Sequence, residues 1–351
     1  MNTKVLKLDY LKLNPAHLAE AAKALSDGGL VIIPTETVYG IAADALDKKA
    51  IERLAKIKER HKDKPFSFLI DTKYKIEEFA RGIPVSAYKL IDKFWPGPLT
   101  IVLKSKDTGT VGLRMPDDEI ALKIIELAKV PVVCPSANIS GKPAPINFDQ
   151  AIKDLDGLVD LAIDAGSTKL GLESTVVDLT VDPPKIIREG AIKKEEIEGV
   201  IKKKIILFIC TGNSCRSVMA EGLLKKKLAE LGRKDIEVFS AGLTASSFGA
   251  TAETTDLLIK EGINMSTHRS RAVDKDLIKK SDLILVMERL HEERIMRFAP
   301  EVKNRVFLLK EFAKINDNNL NIEDPIGRPA DFYAKTFATI KQAIERIAAI
   351  L

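Results

Sequence analysis

IILFICTGNSCRS, residues 205–217, carries in a single run an apolar stretch, a short polar loop and the start of a helix. The apolar residues 205–209 have the length and branching of a buried strand. Helical periodicity follows over about 217–231. Downstream, IEVFS (236–240), DLILVM (282–287) and RVFLL (305–309) read as three more strands, with helices between them and a last helix from about Phe332. This β-α repetition predicts a four-stranded parallel, Rossmann-like sheet with helices on both faces.

Upstream of the strand the chain reads AIKKEEIEGVIKKK (191–204), dense in charge and poor in large side chains. It is read as a domain boundary near Lys202, giving domains 1–200 and 201–351. The lysines 202–204 are read as a solvated run leading into the strand, with an RNA contact as the alternative. A length of 351 residues also exceeds what one hydrophobic core usually supports.

The first half is α/β as well. LVIIP (30–34), FSFLI (66–70), LTIVL (99–103) and residues 130–134, 158–163 and 174–179 are strand candidates. Helices are expected over 50–58 and from an N-cap at Asp117 to about Ala128. Several strands follow one another without a helix, so this sheet is expected to be mixed and twisted.

Composition excludes several classes. With 45% hydrophobic and 30% charged residues the chain is an ordinary globular protein. A net charge of +5 is too small for a generic polyanion binder. Three cysteines, Cys134, Cys210 and Cys215, rule out a disulfide framework and point to a reducing cytoplasm. Four scattered histidines and no CxxC pair argue against a protein-built zinc site. No signal peptide or membrane span is read, so no membrane partner is expected. Oligomeric state is not legible.

The chemistry concentrates in CTGNSCRS (210–217). A phosphate dianion entering a protein loses hydration worth on the order of tens of kcal/mol. A loop opening onto a helix replaces that hydration with backbone N–H groups and the positive end of the helix dipole. Gly212 lets the loop fold tightly, and Arg216 can grip two phosphate oxygens. The same field is expected to make Cys210 a thiolate nucleophile, to which Ser217 can donate a hydrogen bond. Attack on phosphorus also needs a proton donor, and Asp324-Pro325 far downstream is the candidate.

CTGNSCRS, with SAGL (240–243), THRS (267–270) and EDPIG (323–327), resembles the low-molecular-weight protein phosphatase family over residues 204–351. The resemblance implies Cys210 as nucleophile, Arg216 as phosphate clamp and Asp324 as general acid, then base. It implies a phosphate loop of Thr211, Gly212, Asn213, Ser214 and Cys215, supported by Ser217, Ser240 and His268. Cys215 is similar to the family's second loop cysteine, which can protect the nucleophile as a reversible disulfide. Ser214 is small and polar, and Ile326 and Gly327 stand where tyrosine-directed members place aromatics. Phosphoarginine is therefore favoured over phosphotyrosine as the phosphoprotein substrate. An arsenate reductase would need further redox cysteines near the loop.

The first half offers neither a Walker loop nor GxGxxG, so any nucleotide phosphates must be held by side chains. Lys58, Arg60, Lys64 and Arg188 are the available cations. PTETVYGIAADA (34–45), KER (58–60), KPFSFLI (64–70), FWPGPLTIVL (94–103), GLRMP (112–116), CPSANISG (134–141), LESTVVDLT (172–180) and IIREGAI (186–192) together resemble the YrdC/YciO family. That resemblance implies synthesis of L-threonylcarbamoyl-AMP from L-threonine, bicarbonate and ATP, with Mg2+ accompanying ATP, and a product that serves tRNA modification. It places Lys58, Arg60, Lys64, Ser136, Asn138 and Arg188 on ATP, and Thr35, Arg114 and Ser174 on threonine. Phe94 and Trp95 read as core and turn formers, and Cys134 as a buried small residue. His61 after the Lys-x-Arg run and Glu189 after Arg188 depart from the family's prolines. The rival reading is an RNA- or nucleotide-binding YciO-like module fused to a phosphotyrosine phosphatase.

Overall fold

The computed structural model describes residues 2–59, 66–244, 247–315 and 317–351. The chain divides into two compact units, Met1–Val200 and Ile201–Leu351.

The first unit is built on ten strands: β1 (Lys4–Lys7), β2 (Val31–Ile33), β3 (Gly40–Asp44), β4 (Phe68–Leu69), β5 (Leu99–Lys104), β6 (Thr110–Arg114), β7 (Val132–Val133), β8 (Leu161–Asp164), β9 (Thr175–Asp178) and β10 (Lys185–Arg188). They form one sheet in the order β1-β8-β2-β3-β7-β4-β6-β5-β9-β10. Parallel pairs such as β1/β8 and β5/β9 alternate with antiparallel ones such as β2/β3 and β5/β6, so the sheet is mixed. The run 30–33 shows why it is buried on both faces. Val31 and Ile33 join Leu18, Leu25, Ile120 and Ile124, while Leu30 and Ile32 join Tyr39, Leu54 and Leu155. Period-two alternation of an all-apolar strand feeds a separate core on each side.

Four strands escape the sequence reading: β1, β3, β6 and β10. Four of the five residues of GIAAD in β3, glycine, two alanines and aspartate, have little strand preference, and β10 sits at the sheet edge. Pairing rather than propensity makes them strands. The helix Glu119–Ala128 is capped by Asp118, not Asp117: the Asp118 carboxylate accepts from Ala121 N–H at 2.9 Å. The charged run before the second unit is no simple linker. It forms the helix Lys194–Lys202, which buries Ile197.

The second unit has β11 (Lys204–Cys210), β12 (Ile236–Gly242), β13 (Leu283–Val286) and β14 (Val306–Leu308), all parallel, in the order β12-β11-β13-β14. Ile206 and Phe208 pack under the helices Arg216–Glu230 and Ala330–Ala348. Leu207 and Ile209 face the other layer, with Ile278 and Ile295. The chain leaves β11 for β12 on one side and later returns to β13 on the other. The carboxyl end of β11, where Cys210 stands, is therefore the switch point at which open α/β sheets form a crevice.

Candidate active sites

The phosphate loop of the second unit bridges β11 and the helix Arg216–Glu230, whose N-cap is Cys215 and whose first turn no side chain caps. Asn213 adopts φ +54°, a left-handed conformation that asparagine tolerates better than most residues. Its backbone N–H lies 3.3 Å from Cys210 Sγ. Its side-chain amide donates to Ser217 Oγ at 3.0 Å and to Ser240 Oγ at 2.7 Å, and its Oδ1 accepts from Arg271 N–H at 3.0 Å. Because Ser217 Oγ receives the amide, its own proton is left for Cys210 Sγ, 3.0 Å away. His268 Nε2 meets the Asn213 carbonyl at 2.9 Å. Asn213, Ser217, Ser240 and His268 therefore form one network around the loop. It extends to two residues that sequence reasoning missed, Glu221 and Arg271, which bond Ser240 from either side.

Close approach to β12 fixes the loop's position. A Cβ on Gly242 would lie 2.7 Å from Thr211 O and 2.8 Å from Asn213 N, both backbone atoms. Gly242→Ala is expected to push the loop off its strand and lower kcat/KM for an aryl phosphate by about 10–100-fold, the scale of a misplaced reacting group. Unchanged turnover would show that the loop is not clamped there.

Arg216 is almost fully buried. Its NH1 donates to Glu288 Oε2 at 2.7 Å and to Ile322 O at 2.8 Å; its NH2 meets Thr211 Oγ1 at 3.3 Å and forms a short ion pair with Asp324. The Nε of the same guanidinium is buried without a hydrogen-bond partner. Through Thr211 Oγ1, Arg216 thus ties Asp324 to the loop that Cys210 begins. Ser214 offers its carbonyl to Thr251 N–H at 3.0 Å and presents only a short side chain. Glu288 and His291, also unforeseen, lie behind Arg216. Burial first, and then the Arg216 charge, push the His291 imidazole down to about 4, so it is neutral at physiological pH.

In the first unit, Thr35, Lys58, Arg114, Ser136, Asn138, Ser174 and Arg188 line a single open cavity of about 580 Å³. Arg60 and Lys64 lie outside the described residues. Lys58, at the C-cap of the helix Lys48–Ile57, donates to Ser136 O at 2.8 Å and to Asn138 O at 2.6 Å. Arg188 grips Ser174 O and Ser174 Oγ and pairs with Glu173 at 2.5 Å. Ser174 Oγ is also 2.9 Å from Thr100 Oγ1. Thr35 is held inside its own turn, 2.7 Å from Val38 O. Arg114 approaches buried Glu36 at 2.7 Å, but the approach is misaligned: Arg114 NH2 and both Glu36 oxygens lack a hydrogen bond. Glu36, Thr100 and Glu173 were not singled out from the sequence. Trp95 is core, its indole N–H on Leu99 O at 2.7 Å. Cys134 is half-buried in the cavity wall and not buried as expected, and desolvation pushes its thiol up to about 12, leaving it neutral.

The second site, with cysteine, arginine and aspartate converging on a strand–loop–helix junction, has the architecture of a cysteine-dependent phosphatase. The family described as low molecular weight phosphotyrosine protein phosphatase matches residues 205–351. The family described as telomere recombination, covering Sua5, YciO and YrdC, matches residues 23–190. The chain belongs to both families, one in each unit. A threonylcarbamoyl-AMP synthase of Pyrococcus abyssi is 44% identical over 212 residues, 58% of this chain and 62% of that protein, so the chain spans about three fifths of that relative. A protein-arginine-phosphatase of Geobacillus stearothermophilus is 34% identical over 143 residues, covering 41% of this chain and 93% of that one. The solved structure of P. abyssi Sua5 complexed with L-threonine is similar with a TM-score of 0.55 and 31% identity, covering 80% of this chain and 98% of the other.

Proposed function

We propose that the chain is a bifunctional enzyme. Its first unit makes L-threonylcarbamoyl-AMP from L-threonine, bicarbonate and ATP, releasing pyrophosphate, for tRNA threonylcarbamoyladenosine synthesis. Its second unit hydrolyses phosphoprotein, with phosphoarginine the favoured substrate. A cytoplasmic location fits ATP and free thiols; among the described residues no helix is long and apolar enough to cross a membrane.

The synthase reading rests on seven scattered residues meeting in one cavity. The chemistry needs no nucleophilic side chain. Threonine's amine captures carbon dioxide and the carbamate oxygen attacks the α-phosphorus, so the protein must align reactants and neutralise charge. Lys58 and Arg188 supply positive charge, and Arg114 a fork for the threonine carboxylate. Among the described residues no group of three or more metal-ligating side chains stands ready for a metal. Mg2+ typically keeps water and phosphate oxygens as ligands, so it would enter with ATP, with Glu173 as the cavity's carboxylate.

The phosphatase reading rests on Arg216, a buried cation with an unpartnered Nε at the end of the loop that Cys210 opens. The Cys210 sulfur attacks phosphorus, and Asp324 protonates the departing group. Water then cleaves the phosphocysteine while Asp324 takes its proton. A short Ser214 leaves room for a polar guanidinium, and a protein-arginine-phosphatase is among the relatives. Exposed Phe248, whose loop joins the phosphate loop through Thr251 N–H and Ser214 O, favours the second reading, phosphotyrosine.

Two assays test the proposal on the full chain. Pyrophosphate release should depend on threonine; none above background, with ATP still bound, would leave an RNA- or nucleotide-binding module. Matched phosphoarginine and phosphotyrosine peptides should turn over in favour of the former, and a clear preference for phosphotyrosine overturns that choice.

A further inference from the structure

The helix Arg289–Phe298 begins with a capping box whose two side chains do more than cap. Glu288, the N-cap, accepts from the backbone of His291, and His291 Nδ1 accepts from Glu288 N–H at 3.1 Å. Glutamate or glutamine is the usual partner at the third helical residue in this motif, because only the return bond is needed. Here the partner is a fully buried histidine with a second nitrogen. Since Nδ1 accepts, Nε2 carries the proton of the neutral ring. That proton goes to Thr211 Oγ1, 3.0 Å away. Glu288 likewise spends its Oε2 on Arg216 NH1 at 2.7 Å.

Thr211 Oγ1 therefore takes His291 Nε2–H on one lone pair and Arg216 NH2 on the other. With both lone pairs occupied, its hydroxyl proton can only be donated outward, to an acceptor at the loop. Arg216 faces two carboxylates with different freedom. Asp324 sits on a loop after β14, whereas Glu288 is tied into the capping box. An incoming phosphate dianion can displace the first and leave the second as a fixed counter-ion.

We propose that His291 and Glu288 are positioning residues of the phosphatase: His291 orients the Thr211 hydroxyl to donate a hydrogen bond to a phosphate oxygen, and Glu288 keeps Arg216 aimed while Asp324 is released to the leaving group. This rests on the phosphatase reading of the same site.

The test uses the full chain with para-nitrophenyl phosphate as substrate and inorganic phosphate as competitive inhibitor. His291→Ala should raise the phosphate inhibition constant and KM about tenfold, the worth of one charge-assisted hydrogen bond, with a smaller change in kcat. His291→Gln, which can make the return bond of the cap and still donate to Thr211, should restore both to within about twofold. Thr211→Val removes the hydroxyl without touching the cap. It should match His291→Ala, and the double variant should be no worse than either single. Inhibition constants unchanged in Thr211→Val, or additive losses in the double variant, overturn the proposal, even if His291→Ala fails to fold. Wild-type turnover that survives loss of Cys210 would instead sink the phosphatase reading itself.

Discussion

Replacing Cys210 with serine should abolish phosphatase turnover while leaving phosphate binding intact. The sulfur is served only by donors, Ser217 O–H at 3.0 Å and Asn213 N–H at 3.3 Å. These stabilise negative charge on an atom that ionises readily, but they cannot strip a proton from an alcohol. Both histidines near the loop are committed elsewhere, His268 to Asn213 O and His291 to Thr211. A serine therefore stays a hydroxyl, and kcat should fall on the order of 10⁴-fold or more, the scale of losing a nucleophile. Phosphate binding is expected to rest on Arg216 and the loop amides, which the substitution leaves in place. Inorganic phosphate at about 100 times its Kd should still stabilise the second unit by about 2.7 kcal/mol in calorimetry of the full chain. A variant keeping more than about one hundredth of wild-type turnover would place the nucleophile elsewhere.

The phosphatase loop was legible because its signals are local. Strand, asparagine, cysteine and arginine lie within one short run, and the chemistry of a phosphate site suits those residue types next to a helix start. The same locality explains what was missed. Glu288 lies 72 residues from the arginine it holds, and His291 lies 80 from Thr211. Nothing in VMERLHEERI marks either as more than a helix start; only the return of β13 beside β11 brings them together. In the first unit the sheet order is not the chain order, so β9 lies beside β5 and Ser174 meets Thr100 across 74 residues. The cavity's residues could be collected from the sequence only through resemblance. Glu36 sits in plain view in PTETVYG, but a buried acid announces itself only once its arginine is found.

That buried acid shapes the second large expected effect, loss of threonine-dependent pyrophosphate release in Arg114→Ala. The substitution does two things at once. It removes the fork proposed for the threonine carboxylate, and it strands Glu36, whose side chain is only 3% exposed, without its counter-ion. Breaking one side of a buried pair typically costs about 3–5 kcal/mol, so the first unit should melt earlier as well as lose activity. A single variant cannot separate the two. The double variant Glu36→Gln with Arg114→Met can, because neutralising both partners removes the stranded charge and keeps the volume. Its melting temperature should return most of the way to wild type, while pyrophosphate release with threonine stays at background. Recovery of activity together with stability would mean that Arg114 serves the fold alone, and that threonine's carboxylate is met by another cation of the cavity.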